Sequence, residues 1–175
     1  PYASMGATKL LAERLTSASY YFSGGHRTQC ATVRFGNVMN TNGSVIPTFL
    51  EQIAKGEPVT VTDDRMTRFM MSTDQAIDLI FEATTLSHGG EIFILKMPVL
   101  KMSDLAHVLI QLESERLDQK PVGIRFIGIR PGEKIHEELM TSEEAQGALE
   151  LPHMFILPPG KLIGLPSKSA PDYPK

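Results

Sequence analysis

The stretch QCATVRFGNVMNTNGSVIPTFLEQIAKGEPVTVT, residues 29–62, decides the fold. Gln29 to Phe35, with Cys30, Val33 and Phe35 as apolar members, predicts a short strand. Gly36 to Gly43 is rich in Asn and Gly and reads as a loop. Ser44 to Lys55 predicts a helix, with Pro47 tolerated in its first turn and Gly56 stopping it. Val59 to Thr62 alternates as a strand again. Strand, loop, helix and strand in this order argue for an α/β architecture with parallel pairing. In such folds the chemistry sits on the loops outside the strand ends.

Upstream, Met5 to Phe22 predicts a helix, with Ser4 as N-cap and Leu10, Leu11, Leu15 and Ala18 at helical spacing. Gly24-Gly25 is expected to end it. Downstream, Ser72 is expected to open a third helix whose buried stripe is Ile77, Ile80 and Phe81. Glu91 to Leu95 predicts a strand. Ser103 to about Gln111 predicts a helix with Leu105, Val108 and Leu109 facing inward. Gly123 to Ile129 predicts a strand, and Ser142 a capped short helix to Leu149. Six of the 12 prolines fall in the last 25 residues, so little regular structure is expected after Leu157. Cys30, in an apolar strand pattern, reads as inert core.

Of the 175 residues, 42% are hydrophobic and 21% charged, which excludes a disordered chain. Lys and Arg number 17 against 20 for Asp and Glu, a net charge of −3, so bulk charge does not point to nucleic acid. One cysteine allows no internal disulfide and no CxxC zinc pattern. No apolar run approaches the ~18 to 20 residues that span a bilayer. The chain starts at Pro1 without a signal-peptide pattern, and a fragment of a longer protein is expected.

Four short segments carry side chains suited to chemistry. In Met5-Gly6-Ala7-Thr8-Lys9, the first and last residues share a helix face. Many nicotinamide enzymes place Tyr and Lys so, the ammonium favouring a phenolate that takes up a proton. Met5 cannot titrate, and Tyr2 is too far from Lys9 to substitute. Alone, the pentapeptide reads first as an amphipathic helix with a surface lysine. Asn37, in Arg34-Phe35-Gly36-Asn37-Val38, offers an amide to a sugar or phosphate, or is simply a turn residue. Arg65 and Arg68, three apart in an expected loop, can grip a diphosphate, or belong to a self-neutralising cluster with Asp63 and Asp64. No third ligand accompanies those two carboxylates, so no metal site is assigned. In Arg130-Pro131-Gly132-Glu133-Lys134, a tight turn can aim Arg130 at phosphate and Glu133 at sugar hydroxyls, with His136 nearby. A charged surface loop is the even alternative. G-x-G-x-x-G, P-loop, H-E-x-x-H and G-x-S-x-G patterns do not occur.

In order and spacing, MGATK (5–9), RFGNV (34–38), GSVIP (43–47), MTRF (66–69), GGEIF (89–93) and RPGEKIHE (130–137) form a specific set. They resemble extended short-chain dehydrogenase/reductases of the nucleotide-sugar 4,6-dehydratase type, above all the CapD-like polysaccharide-biosynthesis family acting on UDP-N-acetylglucosamine. The resemblance implies the C-terminal half of an NAD(P)-binding Rossmann fold plus a small α/β substrate-binding domain over residues 1–157, with a Pro-rich tail over 158–175. The glycine-rich phosphate loop would lie in a preceding half, so this fragment alone is expected to be inactive. The implied reaction is transient oxidation at C4 of a UDP-sugar, loss of water across C5–C6 and hydride return to C6, with NADP or NAD as cofactor.

Residue by residue, the resemblance implies that Lys9 hydrogen-bonds the nicotinamide ribose and that Val38 lies near the nicotinamide. Asn42 stands at a cofactor-side position where many relatives carry Arg. Asn37 would touch the sugar nucleotide. Val45, Ile46, Pro47, Thr48 and Phe49 would line the uridine site. Arg68, Arg130 and Glu133 would bind the UDP part. Met5 occupies the family's catalytic Tyr position, as in membrane-tethered and epimerising members. A dehydratase/5-epimerase, a 4-epimerase and an inert nucleotide-sugar-binding remnant are the alternatives. A homo-oligomer and a cytoplasmic location are expected for the complete protein, with a membrane tether in a preceding region as the other expectation.

Overall fold

The computed structural model describes residues 4–22, 28–41 and 43–159. The elements in chain order are α1 (Ser4–Phe22), β1 (Thr32–Arg34), β2 (Asn37–Val38), α2 (Val45–Ala54), β3 (Val59–Val61), β4 (Thr67–Met71), α3 (Thr73–Leu86), β5 (Ile92–Leu95), β6 (Val99–Lys101), α4 (Met102–Arg116), β7 (Ile124–Phe126), α5 (Ser142–Ala145), β8 (Leu149–Glu150) and β9 (Met154–Leu157). They divide between two compact units, one formed by Pro1–Phe35, Asp74–Lys96 and Glu138–Lys175, the other by Gly36–Thr73 and Met97–Glu137.

The first unit is built on a four-stranded sheet in the order β1-β5-β9-β8. β1 and β5 run parallel, Val33 opposite Phe93, and β9 returns antiparallel along β5. Ile92-Phe93-Ile94 is apolar without interruption because both faces of β5 are covered. Phe93 packs with Leu79, Ala83, Met154 and Ile156 on one side, while Ile92, Ile94 and Leu157 form a cluster on the other. A Ser-His-Gly-Gly-Glu turn leads into β5. Buried Glu91 accepts hydrogen bonds there from Ser87 Oγ, His88 N and Gly89 N. Gly90 has φ +82, and an added Cβ would lie 2.8 Å from Tyr20 Cβ and 2.9 Å from Ser17 O. Only glycine accommodates that close approach with positive φ.

The second unit holds two smaller sheets. β2 pairs parallel with β4, which pairs antiparallel with β6; β3 pairs parallel with β7. Its core is Phe49, Ile53, Val59, Val61, Met66, Met102, Ala106 and Ile110. The mixed α/β class and the parallel pairing agree with the expectation from residues 29–62.

Several local expectations are corrected. Cys30 is exposed, because β1 begins only at Thr32. On α3 the buried face is Ala76, Leu79 and Ala83, while Ile77, Ile80 and Phe81 are exposed. The small residues let the helix lie close to its neighbours, and size alone misidentified the inward face. Val108 on α4 is likewise exposed, whereas Leu105 and Leu109 pack on the core. Thr67, Arg68 and Phe69 of MTRF lie on β4 rather than in a loop, with Met66 just ahead of it. Ser4 lies within α1 rather than ahead of it. α5 ends at Ala145, with Thr141 as its N-cap in a capping box, and Leu149 is already in β8. The expected Gly24-Gly25 stop and the tail from residue 160 lie outside the described residues.

Candidate functional site

In the second unit, Gly36 is the entry to the segment of interest. A Cβ there would meet Phe69 O at 2.7 Å and Met97 Sδ at 2.8 Å, so the backbone passes where only glycine fits. The following residues pair as β2, Asn37 opposite Met70 and Val38 opposite Met71. Arg68 lies two residues before Met70 on β4, so Asn37, Met70 and Arg68 share one face of this sheet. The chain then turns through Asn40 (φ 61) and Gly43 (φ 74) into α2. Val45 and Phe49 turn into the core. Ile46 and Pro47 are half-buried, and Thr48 is exposed with Oγ1 donating to Ser44 O at 3.1 Å. The stretch Val45–Phe49 therefore splits between core and surface. Asn42 lies outside the described residues.

Arg68 is engaged with the RPGEKIHE segment. Its Nη1 donates to Thr67 O at 2.8 Å, Lys134 O at 3.0 Å and Ile135 O at 3.2 Å, and Nε lies 3.3 Å from Glu137 Oε1. Thr67 N donates to Ile135 O at 3.0 Å, and Thr67 Oγ1 meets His136 Nδ1 at 2.8 Å. Residues 134–137 are thus stitched along β4. Just before them, Glu133 N donates to Arg130 O at 3.1 Å across Pro131 and Gly132 (φ 89). That closes a turn in which glycine supplies the positive φ. Glu133 Oε2 accepts from Arg130 N at 3.3 Å, so this carboxylate folds back on its own turn. The Arg130 side chain is exposed. Arg65, by contrast, is taken by Asp63 through Nε and Nη2, each at 2.9 Å. Those bonds, with the Arg65 N–H, hold the Asp63 carboxyl down to about 2. The self-neutralising alternative describes Asp63 and Arg65, whereas Arg68 stands apart from it.

Met5 and Lys9 lie one turn apart on α1, in the first unit, with Lys9 exposed. The same helix carries Glu13, whose carboxylate accepts from Arg34 Nε at 2.9 Å and Nη2 at 2.7 Å. Arg34 also reaches Glu144 through Nη1 at 2.9 Å and Nη2 at 2.8 Å, and Leu139 O through Nη1 at 2.7 Å. Its hydrogen bonds hold the guanidinium well above its ordinary range despite burial. Sequence reasoning missed this group. Arg34 stood in a quoted motif without a role, and Glu13, four residues after Lys9, was the available signal. The Glu91 turn and the Thr67–His136 pair were missed as well.

The Arg34 guanidinium, opposed by burial and helped by Thr141 N–H, holds Glu144 down to about 2 from an ordinary 4.5. A depressed carboxyl contributes stability that is complete above its unfolded value and is lost as pH falls through the folded one. Between about pH 5 and 2, the melting temperature should therefore fall more steeply in the native complete protein than in Glu144→Gln. Parallel melting curves across that range would rule this out.

The sequence pattern of a polysaccharide biosynthesis protein family matches residues 1–159. The chain belongs to this polysaccharide biosynthesis protein family. An uncharacterized membrane protein of Methanocaldococcus jannaschii is 48% identical over 161 residues, covering 91% of this chain and 48% of that protein. A Campylobacter jejuni UDP-N-acetylglucosamine 4,6-dehydratase (inverting) is 36% identical over 155 residues, covering 88% and 44%. A Rickettsia massiliae UDP-glucose 4-epimerase is 38% identical over 158 residues, covering 90% and 45%. The solved structure of Pen from Bacillus thuringiensis superposes with a TM-score of 0.84 at 49% identity, over 90% of this chain and 48% of that one. This member of the polysaccharide biosynthesis family thus spans about half the length of the curated relatives it matches. A Streptomyces venezuelae dTDP-glucose 4,6-dehydratase and a Thermus thermophilus UDP-glucose 4-epimerase, at 18% and 19% identity, share its α/β fold. No helix among the described residues is long and apolar enough to cross a membrane.

Proposed function

We propose that the complete protein is a UDP-sugar 4,6-dehydratase of the UDP-N-acetylglucosamine type, serving surface polysaccharide biosynthesis, with residues 1–157 as its C-terminal part. The observation that carries this reading lies in the second unit. Asn37 and Arg68 share a sheet face there, and Arg68 is bonded to the very loop that carries Arg130 and Glu133. Exposed Arg130 offers a planar fork for a diphosphate oxygen. Glu133 suits the hydroxyls of a diol, exchanging its weak bond to Arg130 N for a shorter one. Arg68 supports the diphosphate side while holding the loop in place. The first turn of α2, through half-buried Ile46 and Pro47, is the uridine wall.

Each taken by itself, exposed Lys9 has donors suited to ribose hydroxyls, and half-buried Val38 has an apolar side chain suited to a nicotinamide ring. NADP or NAD would supply hydride acceptance and return. Met5 moves no proton and shapes the pocket. A 4-epimerase is the second reading, favoured by the 38% identity to the Rickettsia enzyme. A dehydratase that also inverts C5 is favoured by Met5. A homo-oligomer is proposed for the complete protein, in the cytoplasm or tethered to a membrane. NMR of the product formed from UDP-N-acetylglucosamine decides among the three reactions. A 4-keto-6-deoxy sugar with C5 retained supports the proposal. An inverted C5, a C4 epimer or no product overturns it.

Arg130→Ala in the complete protein should remove a charge-assisted contact worth about 1.5–3 kcal/mol. That is a loss of roughly 10- to 150-fold in UDP affinity at ~1.4 kcal/mol per tenfold. Calorimetry returning the native affinity would make Arg130 a surface charge.

A further inference from the structure

Arg34 spends all of its donor capacity inside the protein. A guanidinium has five N–H groups, and the five hydrogen bonds of Arg34 go to Glu13, Glu144 and Leu139 O, all within 2.7–2.9 Å. The side chains of Arg34, Glu13 and Glu144 are 18%, 12% and 9% exposed. Arg14 stands 3.6 Å from Glu144, so two cations face two carboxylates. Such a group contributes little stability beyond what well-packed apolar side chains would, because its two carboxylates and the Arg34 guanidinium give up much of their hydration. What it supplies instead is fixed geometry, since a planar fork accepts one arrangement of its partners.

The partners make that geometry consequential. Glu13 follows Lys9 by four residues and Met5 by eight, so it lies on the same side of α1 one turn further along. Leu139 and Glu144 belong to the segment that continues in sequence from the 130–137 loop, and Glu144 also caps α5 by accepting from Thr141 N at 2.9 Å. We propose that Arg34 is a positioning residue: its fork fixes the rotation and axial register of α1 through Glu13, and thereby the place of Lys9, using the capped Leu139–Glu144 segment as its anchor. This rests on the proposed function for what Lys9 does, but not for the clamp itself.

The test compares Arg34→Lys and Glu13→Gln with the native complete protein. Lysine keeps the charge but replaces the fork with a compact ammonium; glutamine keeps the size of Glu13 but not its charge. Calorimetric titration with UDP counts competent sites, so turnover is expressed per site and loss of folded protein is removed from the comparison. The expected result is a kcat about 10- to 100-fold lower per site in both variants, with KM for the UDP-sugar within about 3-fold. Amide exchange of residues 6–15 should also be faster than native while the strands keep their protection. A purely structural ion group would lower the number of competent sites and leave kcat per site unchanged, and that result overturns the proposal. Should the native protein turn over no UDP-sugar, the functional reading fails, and amide exchange alone decides the clamp: native protection of α1 in both variants overturns it.

Discussion

Arg34→Met in the complete protein is expected to lose about 1.5–3 kcal/mol of folding stability, the scale of losing charge-assisted hydrogen bonds in a half-buried group. The methionine fills much of the volume, so packing loss is the smaller part. The larger part is what remains. Glu13 and Glu144, which accept four of the five Arg34 hydrogen bonds, are left facing each other. Among the described residues, Arg14 at 3.6 Å and the Thr141 N–H at 2.9 Å offer Glu144 partial compensation. The backbone carbonyl of Leu139 loses its donor as well. Urea unfolding should show a lower midpoint at unchanged slope. Adding Glu13→Gln and Glu144→Gln to Arg34→Met should restore part of the loss, because the uncompensated charges then disappear. A loss below about 1 kcal/mol would mean that water reaches both carboxylates, as at a surface ion pair.

The large elements were legible because periodicity reports them directly. The helices at 4–22, 45–54 and 73–86 and the strand at 92–95 carry runs long enough for one period to dominate. The two-residue strands at 37–38 and 149–150 carry no period, and only pairing with β4 and β9 makes them strands. Orientation was harder to read than element type. On α3 the larger apolar residues face outward and Ala76 and Ala83 face inward, because close packing selects for small size as well as apolarity. The two arginines of the 63–69 segment show a similar limit. Arg65 and Arg68 look equivalent three residues apart. One is bound head-on by Asp63, and the other reaches carbonyl groups 66 and 67 residues away. Local spacing carries no information about that second set of partners. Arg34 was hidden for the same reason, since its partners come from residues 21, 105 and 110 positions distant.

Lys9→Ala in the complete protein is expected to lower kcat by about 100-fold, whereas Met5→Leu should retain most activity. The contrast follows from what each side chain offers. A thioether neither takes nor gives a proton, so Met5 contributes shape, and leucine reproduces most of that shape. A lysine in the family's usual pairing lowers the cost of a tyrosinate. The proposed placement of Met5 at the tyrosine's position removes that task. The proposed function leaves Lys9 to bond ribose hydroxyls and to stabilise negative charge developing at the C4 oxygen, and a single such donor is worth about 10²–10³-fold. Nothing in the described fold depends on the Lys9 ammonium, which is exposed on α1, so the alanine variant should melt with the native protein. Met5→Tyr tests the same point from the other side: restoring the titratable group is compatible with turnover but not required for it. The measurement is kcat of the three variants at saturating cofactor and UDP-sugar, with thermal melts as the folding control. A Lys9→Ala enzyme as fast as the native one would reduce Lys9 to a surface lysine and remove the chemical basis for treating α1 as the catalytic helix.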